Sequence, residues 1–149
     1  MKRSHWVIGF LVAMLCSGCA YKHAALVTPT VTLPQATSKG QMQQAVRKTL
    51  TNRGWKIDSE TLGSTTAHIQ QNKLFANIRV DYDEKQATVR HLDSQNLNYE
   101  KTPDGERIHN HYNFWANSIV NDIRKDLNPG APVAARKRAK LRMSTTRSP

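Results

Sequence analysis

The chain has 149 residues with 22 Lys and Arg against 11 Asp and Glu, a formal net charge of +11 at pH 7. That length suits one small domain with flanking segments and excludes two. Its only cysteines, Cys16 and Cys19, stand three apart, a spacing that invites a metal or redox reading, but their surroundings point elsewhere.

Lys2 and Arg3 open the chain, an uncharged run follows from Trp6 to Leu15, and the sequence then turns small at Ser17 and Gly18. A cationic start, a short apolar run and a small-residue cleavage site are the layout of a secretory signal over residues 1–18. The run falls short of the roughly twenty residues that span a hydrocarbon core of about 30 Å. Within it, Leu15-Cys16-Ser17-Gly18-Cys19 resembles the lipobox of bacterial lipoproteins, with Cys16 standing where that pattern most often has Leu. The resemblance implies cleavage before Cys19, diacylglycerol on its thiol, an acyl chain on its freed amine, and loss of Cys16 with the signal. No other cofactor is implied, and no free thiol would remain. Ala20 stands where Asp would favour the inner membrane, so the implied location is the periplasmic face of an outer membrane, lipid-anchored. An ordinary cleaved signal and an uncleaved anchor are the alternatives.

Residues 19–37 read as the lipidated N-terminus and a tether, because 20–37 hold two prolines and four threonines with no sustained period. Fully extended, that stretch reaches roughly 60 Å. Ser38 and Gln41 then form a capping-box pattern, and Met42, Ala45, Val46, Thr49 and Leu50 recur on one helical face. The spacing predicts a helix over 39–53, ended by Gly54. Three or four strands follow. "WKIDSE" and "STTAHIQ" alternate, and the clearest hairpin is "LFANIRVDYDEKQATVRHLD". On its first arm Leu74, Ala76, Ile78, Val80 and Tyr82 share one face; on its return Ala87, Val89 and His91 resume it, around the polar turn Asp83-Glu84-Lys85. A second helical stripe runs through Tyr112, Trp115, Ile119, Ile123 and Leu127 before Pro129-Gly130 stop it. An α+β fold is therefore expected over residues 38–128. It has two layers: an antiparallel sheet of three or four strands, with an N-terminal and a C-terminal amphipathic helix packed on one face.

Between the hairpin and the last helix, Ser94, Asn96, Leu97 and Tyr99 precede Ile108, His109, Tyr112, Asn113 and Trp115. The arrangement S-x-N-L-x-Y followed by I-H-x-x-Y-N-x-W resembles a family of small, functionally uncharacterised proteobacterial lipoproteins. The likeness extends over most of 38–127 and departs at His91, where an aromatic such as Tyr is more usual, and in the C-terminal tail. It implies an envelope address and a fold but no activity. Asn96, Tyr99, His109, Tyr112 and Asn113 are the candidate ligand- or partner-binding residues, a set of donors and acceptors suited to a groove for glycan or peptide. The competing reading makes them architecture: a helix cap at His109 or Asn110, and core filling by Tyr112 and Trp115. His109 and His111 form an H-x-H pair that His91 could approach, but no cysteine or carboxylate pair completes a zinc site, and no metal is expected. Neither a nucleophile paired with a base, nor a Gly-x-Ser-x-Gly turn, nor a phosphate-cradling glycine loop stands out, so an enzyme is not expected.

The tail over 129–149 concentrates charge: Arg136, Lys137, Arg138, Lys140, Arg142 and Arg147 stand there with no acid. Without Lys2 and Arg3 the chain keeps 20 basic residues against 11 acidic ones, or +9, and six of the twenty lie in this tail. Nucleic acid is scarce in the periplasm. The expected partners of the arm are anionic phospholipid, lipopolysaccharide phosphates or peptidoglycan carboxylates, and a solvated tail without a specific partner is the alternative. The sequence thus points to a non-enzymatic interaction or envelope-support module, held to its membrane by lipid and working with an envelope protein. A direct binder of cell-wall glycan or another anionic envelope ligand is the alternative.

Overall fold

In the computed structural model, residues 23–128 are described; the signal, Cys19 and the basic tail lie outside them. The fold is α+β, with two helices and two antiparallel sheets. Helix α1 (Lys39–Asn52) begins as its sequence dictates: the Ser38 hydroxyl accepts from the Gln41 amide at 3.2 Å, and the Ser38 amide donates to Gln41 Oε1 at 3.2 Å. Gly54, at φ +80°, turns the chain out of the helix, and the Trp55 amide returns to the Leu50 carbonyl at 3.0 Å.

Four strands then meander, β3 (Lys56–Thr61), β4 (Ser64–Gln71), β5 (Leu74–Tyr82) and β6 (Gln86–Gln95), each pairing antiparallel with the next. Period-2 alternation puts Ala67, Ile69, Ala76, Ile78, Val80, Tyr82, Ala87 and Val89 on the inward face, where all are buried. Helix α2 (Asn110–Leu127) buries Tyr112, Trp115, Ala116, Ile119, Val120 and Ile123. These join Met42, Val46 and Leu50 of α1 and the inward sheet face in one core. Two bulges interrupt the ladders, at Asp58 of β3 and at Leu92 of β6, each leaving one residue without an opposite number.

Three expectations need correction. The segment read as a tether is not one from residue 23 onward: β1 (His23–Ala25) and β2 (Thr30–Thr32) are strands. Strand β2 pairs with β6 and makes the large sheet five-stranded, in the order β2-β6-β5-β4-β3, rather than three- or four-stranded. Val31 and Leu33 drive this by burying their side chains against the core, and Asn113 of α2 holds the stretch between the strands. The third correction is a second sheet, ordered β1-β8-β7, made by β1 with the hairpin β7 (Glu100–Thr102) and β8 (Gly105–His109), where a single sheet was expected. Strands this short, carrying exposed charge, give almost no alternating signal.

Candidate functional site

The five candidate residues come together at one end of the domain, where β6 ends, β7 and β8 turn back, and α2 begins. The chain reaches that end through two left-handed asparagines, Asn96 at φ 58° and Asn98 at φ 50°. Asn tolerates this conformation better than most residues. Their combined twist drives Leu97, between them, fully into the core, and its carbonyl accepts the His109 amide at 2.7 Å. The Asn96 side chain is occupied in the same task, donating to the Lys73 carbonyl at 2.6 Å and so tying β6 to the β4–β5 turn.

His109 caps α2, its Nδ1 accepting the His111 amide at 3.1 Å. Its ring centroid lies 6.3 Å from that of His111, and His111 turns edge-on to Trp115 at 4.7 Å. His91 does not join this pair. It stacks on Tyr99 at 4.6 Å, meets the edge of Tyr112 at 5.1 Å, and its Nε2 lies 3.0 Å from the Ser94 hydroxyl. Half-burial in this aromatic nest pushes its pKa below the usual imidazole value, against the opposing pull of Asp93 and Glu106.

Tyr112 is fully buried, and its hydroxyl has no hydrogen-bond partner among the described residues; burial holds its pKa well above the ordinary phenol value. Asn113 is buried at 6 % exposure, and its amide is spent on the strap between β1 and β2. It donates to the Ala25 carbonyl at 2.8 Å and accepts from the Val27 amide at 3.2 Å. Tyr99 is half-buried, and its hydroxyl donates to Glu106 Oε1 at 2.7 Å. That bond raises the Tyr99 pKa and lowers that of Glu106, which Lys101 also approaches at 3.6 Å. The structure therefore brings His91, Tyr99 and Tyr112 into one nest. Asn96, His109 and Asn113 are used as turn tie, cap and strap clip.

Sequence reasoning missed a pair on the open face of the large sheet. Asp58 approaches His68 Nδ1 with both carboxylate oxygens, at 2.8 and 3.0 Å. A histidine oriented by a carboxylate has the form of a catalytic dyad. Here the neighbouring hydroxyls of Ser59 and Thr66 bond each other at 2.6 Å, so the four side chains pin β3 to β4 around the Asp58 bulge. Only the cross-strand register could have revealed the pair, because the residues are ten apart. Along the same face, Asp81 holds Arg79 at 2.6 Å and Arg90 at 2.9 Å. Exposed pairs of this kind contribute little to stability.

A shallow groove of about 380 Å³ lies at the opposite end, lined by Thr37, Gln41, Lys48, Asp126 and Leu127. Among the described residues no group of three His, Cys, Asp or Glu side chains could hold a metal ion, and no helix is long and apolar enough to cross a membrane. No protein-family model matches the chain, and neither does any curated protein. Lipid attachment at Cys19 and the basic set Arg136, Lys137, Arg138, Lys140 and Arg142 fall outside the described residues.

Proposed function

We propose that this chain is a lipid-anchored envelope protein, held by Cys19 on the periplasmic face of an outer membrane, that acts by interaction rather than by catalysis. The observation that carries the reading is the sequence from Lys2 to Cys19: a cationic start, an apolar run too short to span, and Leu15-Cys16-Ser17-Gly18-Cys19 at its end. The use made of the polar side chains near α2 supports the second half. Asn96, His109 and Asn113 are committed to backbone partners, and Tyr112 is enclosed. What the domain offers a partner is a folded surface.

Two or three acyl chains give lasting attachment, because each buried methylene contributes about 0.8 kcal/mol and one chain alone is marginal. Replacing Cys19 by Ala removes the only acyl acceptor this reading allows. The Cys19→Ala chain should lose labelling by a palmitate analogue in cells and accumulate with its signal uncleaved; labelling at the parent level would end the lipoprotein reading. In-cell crosslinking followed by purification should then recover an envelope protein as the partner.

A further inference from the structure

The proposed anchor and the first strand are close in sequence, and that closeness fixes an orientation. Cys19 and His23 are four residues apart, so covalent geometry keeps them within about 14 Å however the chain runs between them. His23 is no loose starting point. It opposes His109 in the β1–β8 ladder, and the strap that continues from β1 is clipped by Asn113. The lipid-bearing residue is therefore confined to the end of the domain built by β1, β7, β8 and the first turn of α2.

The opposite end is equally well defined. It holds the β5–β6 turn, where the Glu84 carbonyl accepts the Thr37 amide at 2.7 Å, the start of α1, and the C-terminus of α2 beside Gln41. Eighteen residues of α2 separate the two ends by about 27 Å. Resting on the lipid anchor proposed above, we infer that the β1–β8–β7 end is an interaction surface laid against phospholipid headgroups, with the β5–β6 turn pointing away from the bilayer. Its exposed side chains suit that layer: Lys73, Lys101 and Arg107 can meet phosphates, Glu100 and Asp104 stay hydrated, and Phe114, 65 % exposed on the second turn of α2, can enter the interface.

The test uses the mature lipidated chain in liposomes. With Cys19 acylated and Cys16 removed, an introduced cysteine is the sole free thiol, so Asp104→Cys on the β7–β8 turn and Glu84→Cys on the β5–β6 turn each take one fluorophore. Lipids with a quencher on the headgroup should remove most of the emission from residue 104 and leave that from residue 84 nearly unchanged. Ten Gly and Ser residues inserted between Cys19 and His23 should erase the contrast while flotation persists. Equal quenching at both positions, or stronger quenching at residue 84, in protein that floats with the liposomes would overturn the orientation and leave the anchor standing. Protein that does not float would remove the anchor, and the orientation with it.

Discussion

His91 is a side chain whose chemistry depends on its setting. Tyr99 covers one face of its ring, Tyr112 meets it edge-on, and the groups that would favour its cation, Asp93 and Glu106, are outweighed by desolvation. Its folded pKa is therefore depressed. Between the ordinary imidazole value near 6.5 and that lower value, the unfolded chain binds a proton that the folded chain does not, so stability falls as pH falls through this window. Above it His91 is neutral in both states and contributes no pH dependence. Urea melts at pH 5 and pH 8 should show the parent losing stability toward acid, with a His91→Phe chain losing less; the same acid loss in both would place the sensitivity on another group. Asn113 matters for a different reason, because one amide satisfies two backbone groups of the strap. Asn113→Ala leaves a part-buried N–H and C=O without their partner, at a cost of about 1–3 kcal/mol. Amide exchange should accelerate at Val27 more than in β5, and equal protection at Val27 would mean that packing alone holds the strap.

The meander from α1 through β6 was legible because each element carries its own signal. Ser38 with Gln41, the glycine at 54, and alternation from Leu74 to Val89 all agree locally with the final packing. Strands β1, β2, β7 and β8 were not legible, being three to five residues long; β1 and β2 also depend on partners distant in sequence, β1 on residues more than eighty positions away, and the local β7–β8 hairpin is made mostly of exposed residues with no alternation. Threonine and proline around β2 suggested a solvated linker, but two apolar side chains, Val31 and Leu33, outweigh that composition by reaching the core. The candidate site was partly legible. Its residues do gather at one end, but which amides face backbone and which face water depends on the left-handed turn at Asn96 and Asn98, which has no periodic signature. That turn can be tested. Asn98→Val puts a β-branched side chain at φ 50° and should cost about 1–2 kcal/mol, whereas Asn98→Gly should stay within a few tenths. Equal melting temperatures for the two variants would show that the turn relaxes out of the left-handed region.

At the scale of the whole molecule, the proposed lipid anchor precedes one end of the described domain in sequence and the basic tail follows the other. The described domain finishes at Asn128, beside the start of α1, about 27 Å along α2 from the end where β1 pairs with β8. The six cations between Arg136 and Arg147 follow from that far end. Two roles were open to them: holding the domain down on its own leaflet, or bridging from the membrane to the cell wall. If the domain stands as proposed above, the tail starts about 27 Å from the leaflet, beyond the Debye length of about 8 Å at physiological salt, and the chain from Asn128 to Arg136 spans that distance only when nearly fully extended, so bridging demands less stretching of the arm. A peptidoglycan layer rich in carboxylates is then the partner we propose for the arm. Liposomes of neutral lipid carrying the full mature chain should co-sediment with isolated peptidoglycan at low salt and be released as salt rises, because the contact is electrostatic. Liposomes carrying a chain that lacks residues 133–149 should remain in the supernatant, with an unchanged melting temperature because no described core residue is removed. If both kinds of liposome pellet alike, the basic arm does not make the contact; if neither does, while the full chain unlipidated binds anionic vesicles, the arm serves the membrane.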